Sequence, residues 1–102
     1  MRRNNMNITD IKIRRTYQDT RLRALVSLTI DGELAVHDIK VIEGPERLFV
    51  AMPSRRDDNG VFRDITHPIT TAARRLIEDS ILEAYHEHIS HQQEQPESSP
   101  DA

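Results

Sequence analysis

The sequence predicts an α+β fold: an antiparallel sheet of four to five strands, then one long C-terminal helix. Three observations carry this. Leu22, Ala24, Val26, Leu28 and Ile30 put an apolar residue at every second position, as a strand with one buried face requires. Asp31-Gly32 and Asn59-Gly60 are turn dipeptides set between apolar runs. From Ala73 the period changes, and Ile77, Ile81, Ala84 and Tyr85 form one stripe of a helix.

The elements follow in order. Residues 1–5, MRRNN, precede the patterned chain and read as a frayed extension, which leaves 6–90 as the folded domain. Met6 to Tyr17 holds Ile8, Ile11 and Ile13, whose phase slips after Ile8 as a bulge would make it slip. The alternating strand 22–30 meets Asp31-Gly32, which asks for a two-residue type I′ hairpin. Its return strand carries Leu34 and Val36, then Ile39 and Val41, so the apolar parity flips around His37-Asp38 and predicts a second bulge. Glu43-Gly44-Pro45-Glu46 is a loop. Leu48 to Met52 is continuously apolar, as expected of a strand covered on both faces, by the helix on one and a second copy on the other. Asn59-Gly60 turns the chain into Val61–Ile65. Pro68 marks a boundary, and Thr70 or Thr71 suits the helix N-cap. Leu76, Leu82 and Ile89 widen the helical stripe. Residues 91–102, HQQEQPESSPDA, contain no large apolar side chain and read as a disordered acidic tail.

Composition narrows the function. The 102 residues allow one domain, and without cysteine neither a disulfide nor a thiolate metal site holds it together. A domain this small buries only about 60–65% of its unfolded surface, which favours oligomerisation. Apolar runs are too short for a signal peptide or a membrane span, so a cytoplasmic protein is expected. The net charge of −3 argues against a nucleic-acid partner until its distribution is considered. Glu94, Glu97 and Asp101 of the tail account for the whole deficit. Of the 14 basic residues 12 are arginine, and ten of those fall in close pairs: Arg2/Arg3, Arg14/Arg15, Arg21/Arg23, Arg55/Arg56 and Arg74/Arg75. Local patches can therefore be basic while the total is acidic. Ordinary surface chemistry is the competing account of any single pair.

Two sites stand out. Arg74 and Arg75 fall in the first helical turn, where the backbone dipole disfavours cations, while Glu78, Asp79, Glu83 and Glu87 come later. Together with the Thr70 and Thr71 hydroxyls and the free amides, these guanidinium groups suit a phosphate. The plainer account is pairing with Glu78 and Asp79 at i,i+4. Arg55 and Arg56 are expected at a hairpin tip, with Arg63 across from them and Asp57 and Asp58 close enough to neutralise them. Of His86, His88 and His91 only His88 and His91 share a helical face, and zinc would need more ligands, so no metal site is expected. His37 beside Asp38 has the makings of an acid–base couple, but no nucleophile motif, phosphate loop or carboxylate pair joins it. No enzyme, cofactor or small-molecule substrate is expected. The scarce aromatics lack the spacing of a base-stacking platform.

The string "LFVAMPSRRDDNGVFRDITHPI" resembles the hallmark segment of the stage V sporulation protein G (SpoVG) septation-regulator family, whose members read "FVAMPS", a basic pair, a Gly-containing turn, "FRDI" and "HPI". "RALVSLTIDGELAVHDIKVIEG" and "ILEAY" extend the resemblance from about Met6 to His88. The resemblance implies a small α+β dimer joined through its sheets. It also implies a site-selective DNA-binding protein, with RNA binding in some members, that affects septation, sporulation or gene expression. The family's basic residues near the helix start map onto Arg74, and its basic pair after "FVAMPS" maps onto Arg55 and Arg56. Many members carry Gly-Lys where this chain has Arg75-Leu76, which moves the second charge about 100° around the helix. The leading expectation is a homodimeric DNA- and RNA-binding regulator contacting phosphates through Arg55, Arg56, Arg63, Thr70, Thr71, Arg74 and Arg75. A protein-interaction adaptor of the septation machinery, without direct nucleic-acid binding, is the alternative.

Overall fold

A computed structural model describes residues 6–94; the expectation for 1–5 and the remainder of the tail, 95–102, fall outside the described residues. The strands are β1 (Ile8–Thr16), β2 (Leu22–Ile30), β3 (Leu34–Glu43), β4 (Leu48–Ala51), β5 (Ser54–Arg56) and β6 (Phe62–Asp64), followed by helix α1 (Thr71–Glu94). The first four form an antiparallel sheet in sequence order, and β5 and β6 pair only with each other. The four-stranded antiparallel sheet followed by one C-terminal helix is the α+β fold expected, and the small β5–β6 pair stands apart from that sheet. Pro53 is the physical reason: it has no N–H to extend the ladder beyond β4, and its own carbonyl accepts from Ile65 N–H at 2.7 Å.

The core follows the phase of β2. Ala24, Val26 and Leu28 are buried on one side, in one cluster with Ile39, Val41, Val50, Met52, Ile77, Ile81 and Tyr85. Ile8, Ile11 and Ile13 of β1 pack against this cluster from its edge. The helix therefore covers one side of the sheet. The other side of β4, carrying Phe49 and Ala51, is only half-buried.

Bulges keep this phase despite irregular spacing. On β1 the register steps between Ile8 and Asp10, where one was expected, and again between Ile13 and Arg15. On β3 two residues, His37 and Asp38, fit opposite Ser27, with Asp38 at φ 64°, matching the parity flip in the sequence. A further step between Leu22 and Ala24 interrupts the strand that reads as faultless in sequence. At the β2–β3 turn Asp31 and Gly32 have φ of 56° and 65°, the signs a type I′ turn needs, and Glu33 N–H bonds the Ile30 carbonyl at 3.0 Å. The ladder resumes only at Ile30 and Leu34, so the loop is three residues rather than two. The Thr9 hydroxyl accepts the Gly32 amide at 2.9 Å, so the first β1 irregularity also anchors this turn.

Helix α1 continues to Glu94, into the stretch read from sequence as tail. Ile77, Ile81 and Tyr85, each four residues apart, are its buried stripe, whereas Leu76 is 40% exposed and leaves that stripe. Among the described residues no helix is long and apolar enough to cross a membrane. Because Ile81 is fully enclosed, Ile81→Ala should cost about 2–5 kcal/mol in denaturant unfolding, against about 1 kcal/mol or less for Leu76→Ala.

Candidate nucleic-acid interface

The first group of candidate residues lies on the β5–β6 arm. Arg55 and Arg56 are in strand β5, not at the hairpin tip, which is Asp57–Gly60. The correction has a local cause, because Asp57 builds the turn. Its carboxylate accepts the amides of Asn59 at 2.9 Å and Val61 at 3.0 Å, and its backbone carbonyl accepts Gly60 N–H at 3.0 Å. Gly60 takes φ 82°, a conformation that side-chain-bearing residues rarely adopt. Arg55 stands directly opposite Arg63, and Arg56 opposite Phe62.

Like charges placed opposite each other repel. Asp57 relieves this through Arg63, whose Nε donates to the carboxylate at 2.7 Å. The Asp57 carboxyl is held below its ordinary value, first by Arg63 and then by the Val61 amide. Neutralisation thus falls on Arg63, while Arg55 and Arg56 are exposed and outside any ion pair among the described residues. The Arg56 guanidinium sits 5.6 Å from the centre of the Phe62 ring, a cation–π contact that holds it on the outer surface of the arm. Sequence reasoning missed Phe62 and the organising role of Asp57; the spacing Asp-x-x-Gly was the available signal for the latter.

The second group lies at the start of α1. The Thr70 hydroxyl accepts Ala73 N–H at 3.0 Å and the Thr70 carbonyl accepts Arg74 N–H at 3.0 Å, so Thr70 is the N-cap. Its hydroxyl already serves the helix. Thr71 is the first helical residue and is exposed, as are Arg74 and Arg75, and the first turn contains no acid. The anticipated Arg74–Glu78 and Arg75–Asp79 pairs are not among the ion pairs of the described residues. Glu78 is turned toward the sheet instead, its carboxylate accepting Val50 N–H at 3.4 Å. Arg74 lines a small crevice with Val50, Met52 and Pro68, which sets the helix start beside the chain that leads into β5. No hydrogen bond or ion pair among the described residues links Arg55 and Arg56 to Arg74 and Arg75.

Elsewhere, Arg23 is ion-paired with Glu43, a contact that raises its pKa further. Among the described residues no hydrogen bond or ion pair joins His37 to Asp38. Its Nδ1 lies 2.8 Å from the hydroxyl of buried Ser27, which also accepts from Arg14 Nε at 3.0 Å. The candidate site is therefore a pair of exposed arginine groups on a sheet-and-helix scaffold, a chemistry suited to binding anions.

A small α+β domain with an arginine-bearing arm and a cationic helix start is the class of protein defined here. The SpoVG family model matches residues 6–87, and the chain belongs to that family. It is 56% identical over 80 residues to "Putative septation protein SpoVG" of Exiguobacterium sibiricum, covering 78% of each chain. It is 53% identical over 81 residues to the protein of that name in Bacillus subtilis, covering 79% of this chain and 84% of the relative. The Lachnospira eligens protein of that name is 54% identical over 80 residues, covering 78% of this chain and 91% of its own.

Asp57 sets the acid response of the arm. A depressed carboxyl contributes order that is complete above its unfolded pKa, ordinarily 3.8, and is lost as pH falls through the lower folded value. Amide exchange at Asn59 and Val61 should therefore be protected equally from neutral pH down to about 4 and lose protection below it. Asp57→Asn, which keeps only part of the turn and removes the carboxylate paired with Arg63, should show weakened protection throughout.

Proposed function

We propose that this chain is a dimeric, cytoplasmic nucleic-acid-binding regulator acting in septation, with DNA and RNA as its partner class. The septation role is taken from the names of its relatives in Exiguobacterium and Bacillus. The observation that carries the nucleic-acid reading is the start of α1: two exposed arginines, no acid in the first turn, and the neighbouring Glu78 engaged elsewhere. Cations disfavoured by the helix dipole gain from an anion that the same dipole attracts. Arg55 and Arg56 extend the cationic surface along the arm, with Arg63 restrained by Asp57 as a secondary contributor. Twofold symmetry would double each group.

Anisotropy titrations of DNA and RNA across a salt series test this. For each phosphate neutralised on a duplex, log K falls with log salt by about 0.9. Arg74→Glu/Arg75→Glu should weaken binding at least about tenfold and flatten the slope by about 1.8. A folded double variant with unchanged affinity and slope would remove the helix start from the mechanism.

The adaptor reading draws on a different observation. Phe62, Ile65 and Ile69 are 65%, 63% and 86% exposed, and β4 is an edge strand of the sheet. Such surfaces suit a protein partner or the second copy. Partner capture that survives nuclease and high salt favours the adaptor. Equilibrium sedimentation of Phe62→Asp/Ile65→Asp against the parent chain tests whether the arm holds the dimer: the variant should shift toward monomer.

A further inference from the structure

We propose that the helix-free side of the four-stranded sheet is a docking surface for single-stranded nucleic acid, distinct from the arm and the helix start. It rests on the nucleic-acid reading above and adds a second surface to it.

The strand register places the residues. Ala24, Val26 and Leu28 face the helix, so Leu25 and Ser27 face the other way. Lys12 lies opposite Ser27, Arg15 opposite Leu25, and Lys40 opposite Leu25 from the other neighbour. The bulge between Ile13 and Arg15 adds Arg14 to the same side, fixed independently of register by its Nε bond to Ser27 at 3.0 Å. His37 joins them through Ser27 at 2.8 Å. Both lysines of the chain and the Arg14/Arg15 pair thus converge on one side of three adjacent strands.

The acids cancel only part of this charge. Asp10 lies opposite Thr29 on the same side and pairs with Lys12 at 3.4 Å. Asp38 occupies the β3 bulge beside His37. Arg14, Arg15 and Lys40 are in no ion pair among the described residues. The Arg15 guanidinium lies 5.9 Å over the Tyr17 ring, so one cation is presented on an aromatic plane. Ile42 and Phe49, cross-strand partners on this side, are half-buried and supply apolar surface beside the cations.

The occupant follows from charge and shape. A second copy laid face to face would bring one cationic side against the other, and like-charge juxtaposition of that kind is disfavoured. A polyanion meets no such opposition. Strands are spaced about 4.8 Å apart and same-side residues about 6.7 Å along each strand, so the cations form a shallow grid without an element to enter a groove. A rigid convex duplex meets a twisted sheet along a line, whereas a single strand follows the twist and can rest its bases on guanidinium planes and against the half-buried Tyr17 and Phe49 rings.

Anisotropy with the full chain, a short oligothymidylate and a duplex of matched length separates the outcomes. Arg15→Gln/Lys40→Gln should weaken single-strand binding about tenfold and flatten its salt slope by about 1.4, at about 0.7 per phosphate, while duplex affinity stays within about twofold. Lys12→Gln/Lys40→Gln should move the same way and covers the case in which the first variant unfolds by circular dichroism. Single-strand affinity unchanged in both folded variants, or duplex affinity lost to the same degree, overturns the inference. If Arg74→Glu/Arg75→Glu abolishes binding while the sheet variants retain it, only the sheet surface falls. A parent chain that binds neither probe removes both readings.

Discussion

Ala24, Val26 and Leu28 lie on one side of β2, enclosed with Ile77, Ile81 and Tyr85 of α1 in a single core. Strand side chains alternate with a period of two, so enclosing these three fixes the direction of every residue between them and of their partners on β1 and β3. The separation of an apolar, helix-covered side from one rich in cations is a product of that phase. A one-residue slip would carry Lys12 and Lys40 toward the core, where unpaired charge is prohibitively costly. Hydrophobic burial and charge placement are therefore one constraint expressed on two sides of the same strands.

The arm obeys a different balance. Three-residue strands paired only with each other have too little apolar surface to hold themselves together in water. Asp57 substitutes local polar bonds for a core, joining the Asn59 and Val61 amides to the Arg63 guanidinium. Arg55 and Arg56 are left outside that network and remain available to an anion. Their position in a strand also limits their motion more than a loop tip would, which suits contacts that depend on a defined spacing.

Much of the fold was legible because apolar residues mark phase. The parity flip around His37-Asp38 located a bulge, Asp31-Gly32 located a turn, and Thr70 capped the helix as its side chain allows. Irregularities flanked by arginine carried no such mark: the steps at Arg14 and Arg23 change the phase of charged residues, for which either side looks acceptable in one dimension. Pro53 showed where β4 must stop, but not that the following pair would leave the sheet. For the candidate site, residue types were readable and partners were not. Asp57 chose Arg63 rather than Arg55 or Arg56, and Glu78 chose the Val50 amide rather than Arg74, through geometry that only the folded chain possesses. The side shared by Arg14, Arg15 and Lys40 required the register of three strands at once.

The element that closes the core comes after all six strands in the chain. During synthesis the strands emerge first, and Val26, Leu28, Ile39 and Val41 have no lid until α1 has been made. Translation at about 5–20 residues per second leaves that apolar side uncovered for a second or more. Apolar surface exposed in this way is prone to aggregation, and that exposure ends when the final helix docks.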